Sequence, residues 1–154
     1  MKVYTLKRVQ TLPISIGEAW AFFSVPQNLG KITPPYMNFE IISQTGGLKA
    51  YTGQLIEYRV SVLPGIRLRW LTEITNVTEP TQFIDEQRKG PYKLWHHTHT
   101  FRETPNGVEM TDVVKYQLPA GPLGVLAHAL FVERRLNGIF DYRFEVLNNL
   151  FSKK

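Results

Sequence analysis

The sequence predicts an α+β protein: a curved antiparallel sheet of about seven strands, with two short helices, wrapped around a long C-terminal helix. Glycine and proline recur at short intervals between runs of β-branched and aromatic residues, as in strands joined by tight turns. A single long segment, 123–151, repeats apolar residues at three- and four-residue spacing, as in a helix with a buried face. We therefore expect one domain over residues 1–154.

A short helix is predicted near the N-terminus. Ser15 is a suitable N-cap, because Glu18 follows at the spacing of a capping box. Trp20 and Phe23 then lie on one apolar face, which we expect to pack into the core. A second helical turn is predicted at 27–32 and should end before the Pro-Pro pair, because a residue preceding proline avoids helical backbone angles.

The remaining chain before the long helix reads as strands. Ile56, Tyr58 and Val60 alternate with charged or polar residues, which is the period of a sheet with one buried face and one solvated face. The predicted strands are 3–12, 39–43, 54–62, 67–77, 82–88, 92–103 and 108–118.

Composition excludes several classes of protein. The 154 residues contain no cysteine, so disulfides and thiolate metal sites are excluded. The net charge is +5, but the basic residues are scattered, so we expect no nucleic-acid partner. No apolar run approaches the ~20 residues of a membrane span, and no secretory leader is evident, so we expect no membrane insertion and a cytoplasmic location.

Six short motifs carry a resemblance to a known superfamily. They are AWAFF at 19–23, ITPP at 32–35, GPY at 90–92, WHHTHTF at 95–101, LPAGPLG at 118–124 and FDYR at 140–143. Together with the order of elements, they resemble the helix-grip superfamily of Bet v 1-like proteins, START domains and polyketide cyclases, and within it a bacterial SRPBCC branch of cyclase/dehydrase-like proteins. The resemblance implies a cavity for a hydrophobic ligand but supplies no reaction.

The WHHTHTF strand is the most informative segment for function. Trp95, His97, His99 and Phe101 share one face, and the aromatic residues place that face inside. The histidines then either contact a ligand or act as an acid/base group, or they are hydrogen-bonded interior residues that fix sheet and helix. The sequence favours the structural interpretation.

The turn at 104–107 predicts how this strand pairs with the next one. A four-residue hairpin loop, with Gly107 in a left-handed conformation, places His99 opposite Asp112 and Phe101 opposite Met110. We then expect Asp112 to orient His99 and to favour its protonated form. A three-residue loop would shift the register by one residue and place Asp112 on the outer face.

Other residues are candidates for lining a cavity. Asp85 and Gln87 share a face with Phe83, so they reach the interior unless their strand is a hydrated edge. Gly138 in mid-helix would make room for a ligand or for close packing. The predicted ligand-binding residues are Tyr58, Trp70, Asp85, Gln87, Trp95, His97, His99, Phe101, Gly138 and Phe140.

A metal site made of His97, His99 and Asp112 has suitable ligand types, but no established metal motif accompanies it. We therefore expect no metal. No glycine-rich nucleotide motif occurs either, so no cofactor is expected. On the helix, Asp141 and Glu145 form an i, i+4 pair that is expected on a solvated face beside Arg143 or Arg134.

Three functions remain open on the sequence alone. The leading one is binding of an apolar or amphipathic small molecule, lipid-like or polyketide-like, between sheet and helix. The second is a cyclase, dehydrase or hydrolase with His97 or His99 as general acid/base and Asp112 as a possible third member. The third is a structural or regulatory interaction module. Oligomeric state is left open.

Overall fold

The order of the seven strands explains how the molecule makes one concave surface. The structure, a computed structural model, describes residues 2–152. All neighbouring strands are antiparallel, in the order β1-β7-β6-β5-β4-β3-β2. The strands are β1 Tyr4–Leu12, β2 Glu40–Gln44, β3 Leu55–Leu63, β4 Ile66–Thr78, β5 Gln82–Lys89, β6 Leu94–Thr104 and β7 Gly107–Gln117.

The helix α1, Ile16–Phe23, begins where the sequence predicts it. The Ser15 hydroxyl accepts a hydrogen bond from the Glu18 backbone amide at 3.1 Å, which satisfies one of the free N–H groups of the first turn. The second predicted helix is a 3₁₀ segment, Pro26–Ile32, rather than an α-helix. A further 3₁₀ turn follows at Pro35–Met37.

The C-terminal helix spans 30 residues and consists of three parts. They are α2, Gly121–Ala127, a π-helical turn, His128–Val132, and α3, Glu133–Leu150. In α3 the buried residues are Leu136, Phe140 and Leu147, which lie on one stripe facing the sheet. The sheet and this stripe cover each other's apolar surfaces.

The apolar residues in the first part of this helix do not face the sheet. Leu126 and Leu130, which the spacing pattern predicts to be buried, are 55% and 67% exposed. The reason is that α2 packs on the loop before it. The Cβ that an alanine would place at the buried Gly124 would lie 2.2 Å from the Pro119 carbonyl oxygen.

The β6–β7 hairpin has the predicted register. Thr104 pairs with Gly107, and His99 lies opposite Asp112. Gly107 has a φ of 132°, and a Cβ there would lie 2.0 Å from the Leu12 carbonyl oxygen, so only glycine fits. The register places Asp112 on the inner face, buried to 9% exposure.

Two apolar clusters fill the space between sheet and helices. The first contains Trp20 against Phe83 and Phe101, with ring centroids 5.9 Å apart in each edge-to-face pair, and Phe23 packs against it. The second contains Tyr116 and Phe140. The predicted packing of the α1 aromatic residues into the core is therefore confirmed.

Among residues 2–152 there is no helix that is both long enough and apolar enough to cross a lipid bilayer.

Candidate ligand-binding site

A cavity of about 320 Å³ lies between the sheet and the C-terminal helix. Its volume is at the lower end of the usual range of ~300–1,000 Å³ for small-molecule sites. Most of its wall is apolar, from β3, β4, the 3₁₀ segment and α3. Among the residues that line it are Tyr58, Trp70, Thr72, Asp85, Tyr92, Trp95, His97, His99, Ile139, Phe140 and Arg143.

Four aromatic residues form a connected wall of this cavity. Tyr58 stacks on Trp70 with ring centroids 5.7 Å apart, and Trp70 meets Trp95 edge-on at 5.3 Å. Tyr92 lies 4.8 Å from Trp95. Such contacts fix the rings in place, so they present a preformed apolar surface to a ligand.

A charged cluster interrupts the apolar wall on β5, β6 and β7. His97 Nε2 lies 2.8 Å from Asp112 Oδ1, and His99 Nε2 lies 2.6 Å from Asp85 Oδ2. The two imidazole rings stack on each other with centroids 3.7 Å apart. The cluster therefore contains two carboxylates and two imidazoles, of which Asp112 and His97 are buried and Asp85 and His99 half-buried, and each is hydrogen-bonded.

Each histidine also faces the other carboxylate. His99 Nδ1 lies 3.3 Å from Asp112 Oδ1, and His97 Nδ1 lies 3.8 Å from Asp85 Oδ2. Arg143, from α3, closes the group, with Nη1 3.7 Å from Asp112 Oδ1. Its side chain is only 11% exposed, so the helix brings a buried cation to the carboxylates.

The contacts within the cluster move the pKa values in opposite directions. Burial of Asp112 raises its pKa, but hydrogen bonds from His97 and His99 outweigh burial and hold the pKa well below 3.8. Burial lowers the pKa of His99, but its hydrogen bonds to both carboxylates bring it above 6.5. For His97, burial and the neighbouring His99 charge hold the pKa below 6.5.

Two buried N–H donors near the cavity have no hydrogen-bond partner among the described residues. They are Nε1 of Trp70 and Nε of Arg143. Both side chains line the cavity. A buried donor without an acceptor costs about 1–3 kcal/mol, so an oxygen atom of a bound molecule would relieve that cost.

Burial also raises the pKa of Tyr58, whose hydroxyl is 3.1 Å from that of Thr72.

Comparison with known proteins shows which solved structures have a similar architecture. No protein-family model matches the chain, and no curated protein matches its sequence. Solved structures do match. CV1439 from Chromobacterium violaceum superposes with a TM-score of 0.73 at 10% identity, covering 98% of this chain and 99% of that one. Ara h 8.0201, of the Bet v 1 family, has a TM-score of 0.62 at 16% identity, covering 96% and 99%.

A third similar structure is the di-domain ARO/CYC BexL from the BE-7585A biosynthetic pathway. Its TM-score is 0.74 at 11% identity, covering 99% of this chain and 51% of BexL, so the present chain spans about half of that protein. The strand order, the long C-terminal helix and these matches decide the architecture. The protein has the helix-grip fold.

The helix-grip cavity receives most of the residues predicted from the sequence. Tyr58, Trp70, Asp85, Trp95, His97, His99 and Phe140 all line it. Asp85 is brought in because Phe83 is buried, which fixes the inward face of β5. The interpretation of this strand as a hydrated edge is therefore wrong for Asp85.

Three predicted residues do not line the cavity. Phe101 is buried in the cluster around Trp20. Gln87 folds back to hold the next loop, with hydrogen bonds to the Tyr92 backbone carbonyl and amide at 2.6 and 3.1 Å. Gly138 is exposed on the outside of α3 and borders a shallow surface depression. Its lack of a side chain makes no room under the helix.

Hydrogen bonding also differs in detail from the sequence prediction. Asp112 lies within reach of His99, as predicted, but its shorter contact is to His97. His99 makes its short hydrogen bond to Asp85 on the opposite neighbouring strand. The carboxylate that the sequence assigns to one histidine therefore faces both of them.

Arg143 is the main site residue that sequence reasoning places wrongly. The sequence places Arg143 or Arg134 beside Asp141 on a solvated face. Asp141 is exposed, in an ion pair with Arg8 at 2.7 Å, whereas the Arg143 side chain is only 11% exposed. A signal was present, because Arg143 follows Phe140 by three residues and so lies on the buried side of the helix. The guanidinium carbon is 4.8 Å from the Phe140 ring centre.

Proposed function

We propose that the protein binds an amphipathic small molecule, lipid-like or polyketide-like, in the helix-grip cavity. The observation that carries the proposal is the composition of the cavity wall: an aromatic and aliphatic surface interrupted by one buried charged cluster. Pockets that bind small molecules have this make-up, because apolar contact supplies affinity while a few polar groups fix orientation.

The charged cluster defines which end of the ligand is polar. Trp70 Nε1 and Arg143 Nε are donors without an acceptor in the part of the chain that the structure describes, so they favour a carbonyl, hydroxyl or carboxylate oxygen. The similar protein BexL is an ARO/CYC of a biosynthetic pathway. A molecule with a hydrocarbon or aromatic body and oxygen at one end suits the cavity.

Binding is tested with 1-anilinonaphthalene-8-sulfonate as the fluorescent probe, displaced by oleate, a sterol or an aromatic polyketide. Wild-type protein should bind the probe saturably at one site. Ile139→Trp places a large ring in the cavity from α3 and should weaken probe binding at least tenfold. Glu145→Trp, at an exposed position of the same helix, is the matched control and should bind as wild type.

Equal binding by wild type and Ile139→Trp, with both shown to be folded by their thermal transitions, would refute the cavity as the binding site. A second variant keeps the test sharp. Trp70→Phe keeps an aromatic ring, although a smaller one, and removes the N–H donor, so it should weaken the binding of oleate more than that of a hydrocarbon of the same length.

A second candidate function is catalysis, favoured by the Asp85–His99 and Asp112–His97 hydrogen bonds. A carboxylate that orients an imidazole prepares it for proton transfer, as a cyclase, dehydrase or hydrolase requires. Turnover of β-keto thioesters, followed by mass spectrometry, should fall at least ~100-fold in His99→Gln. His96→Gln, outside the cavity wall on the same strand, is the control, and equal turnover in all three proteins would exclude this role.

A further inference from the structure

The two cavity histidines are arranged between the two carboxylates in the same way. One nitrogen of each ring faces Asp112 Oδ1, at 2.8 Å from His97 Nε2 and 3.3 Å from His99 Nδ1. The other nitrogen of each ring faces Asp85 Oδ2, at 3.8 Å from His97 Nδ1 and 2.6 Å from His99 Nε2. Because the two rings stack, the two nitrogens that face Asp112 lie on one side of the pair, and the two that face Asp85 lie on the other.

This arrangement decides where the lone pairs point. A carboxylate only accepts hydrogen bonds, so His97 Nε2 must donate to Asp112. In a neutral imidazole the remaining nitrogen, Nδ1, then carries a lone pair and faces Asp85 Oδ2. These two acceptors lie 3.8 Å apart, and a cation bound by both would turn their repulsion into attraction.

We propose that Asp85, His97 and His99 bind a divalent transition-metal ion, through Oδ2, Nδ1 and Nε2 respectively. One ligand atom from each of the three residues lies within 4.8 Å of the other two. An ion with ligand distances of about 2.1 Å separates neighbouring ligands by about 3.0–3.4 Å. The observed 2.6 and 3.8 Å lie on either side of that range, so the Asp85 carboxylate must move away from His99 and towards His97. The two stacked rings must also turn so that both lone pairs point at the ion.

The ligand types select the class of metal. Two imidazoles and one carboxylate suit Zn²⁺, Fe²⁺ or Co²⁺ and leave positions open, whereas Ca²⁺ and Mg²⁺ prefer all-oxygen sites. Protonated His99 donates from Nε2 to Asp85 and from Nδ1 to Asp112. Binding of the ion would release the Nε2 proton to solvent, and the Nδ1 proton would stay on the hydrogen bond to Asp112.

Asp112 acts in this site as a positioning residue. It accepts from the ring nitrogens that do not bind the metal, which fixes both rings, a common partner arrangement for metal-bound histidine. Arg143 lies 3.7 Å from Asp112 and offsets its charge, so the negative charge of Asp85 is left for the ion. The sequence alone predicts no metal, because no established metal motif accompanies the histidines and Asp112.

The three metal ligands line the cavity, so the ion would lie on its wall. An open coordination position there would accept an oxygen atom. The metal site is inferred from the positions of Asp85, His97 and His99 alone, so it does not depend on the proposed ligand.

The experiment uses untagged protein of residues 1–154, treated with a chelator and then titrated with Co²⁺ and Zn²⁺. Wild type should bind one equivalent of Zn²⁺ by calorimetry, and Co²⁺ should give visible absorption bands of a low-symmetry, nitrogen-ligated ion. Zn²⁺ should also raise the thermal midpoint of wild type. Asp85→Asn and His99→Gln should each weaken binding by more than tenfold, and Asp112→Asn by about 10–100-fold.

His96→Gln is the matched control, because it removes a histidine on the same strand that does not line the cavity. It should bind as wild type. Failure of wild type to bind a stoichiometric ion, or equal binding in Asp85→Asn, would overturn the proposal and show adventitious binding only. If wild type binds the fluorescent probe but no ion, the metal site fails while the proposed function stands.

Discussion

The inner face of β6 passes through two different environments within a few residues. At Phe101 the strand enters a filled apolar cluster in which Trp20 is 4% exposed and Leu147 is fully buried. At His99 and His97 the same face meets carboxylates, a guanidinium and a cavity of about 320 Å³. Strand geometry is the same in both places, and only the side chains differ.

The difference shows that separate regions of one sheet stabilise the fold and form the cavity. At the filled end, apolar side chains pack at close to crystalline density, and each contributes to folding. At the cavity, the wall leaves space unfilled and buries charge, both of which cost stability that the rest of the fold must supply. Such local costs are expected where a site binds a ligand.

The largest effect should come from a truncation that uncovers both the filled cluster and the cavity. A chain that ends at Gly138 loses Phe140 over the cavity and Leu147 over the filled cluster. Each such deletion costs ~2–5 kcal/mol, against a total stability of about 5–15 kcal/mol. We expect no cooperative urea transition by circular dichroism, whereas a chain that ends at Phe151 should unfold cooperatively. A cooperative transition in the shorter chain would contradict this architecture.

Trp20→Ala tests the filled end alone. Trp20 packs edge-on against Phe83 and Phe101, so its removal should lower the free energy of unfolding by about 3–5 kcal/mol. Phe144→Ala, at a position 42% exposed, is the matched control and should cost under about 1 kcal/mol. Similar losses for both variants would show that the cluster is not the stabilising region.

Asp112→Asn tests the charged cluster. It removes the partner of two imidazoles and Arg143, so metal-free protein should lose about 1–3 kcal/mol by urea denaturation at pH 7. Asp141→Asn breaks the exposed pair with Arg8 and should cost less than about 1 kcal/mol. An Asp112→Asn loss no larger than that control would show the cluster to be energetically neutral.

The stability difference between wild type and Asp112→Asn should depend on pH. The folded pKa of Asp112 lies well below 3.8, its ordinary value, because the hydrogen bonds from the histidines outweigh burial. Its stabilisation is therefore present above pH ~4 and is lost as the pH falls from there towards the folded value. The difference between wild type and Asp112→Asn should shrink from pH 5 to pH 3, and a constant difference would count against the electrostatic role.

Gly138→Ala should have the smallest effect and the opposite sign. Gly138 is exposed, and an added Cβ meets nothing within 4 Å, so alanine should stabilise the helix by ~0.4–1 kcal/mol. Probe binding in the cavity should not change, because Gly138 does not line it. A weaker probe affinity in this variant would place the binding site near the outer face of α3.

The features that the sequence predicts correctly depend on neighbours along the chain or on a period of two. Ser15 caps α1 through a residue three positions away, and the β6–β7 register follows from the four-residue loop at 104–107, one of the two loops that the sequence allows. Alternation then places His97, His99 and Asp112 inside. These are local rules, and they needed no knowledge of the rest of the fold.

Tertiary structure decided the rest, because it depends on how separate elements pack. The rotation of α3 brings Arg143 to Asp112, and the packing of α2 on its loop leaves Leu126 exposed. The β5–β6 pairing brings Asp85, rather than Asp112 alone, to the histidines. The sequence by itself determined the strands, the caps and the inward face. The cavity and its full charge set arise only when helix and sheet meet, since no local interaction fixes their separation or rotation.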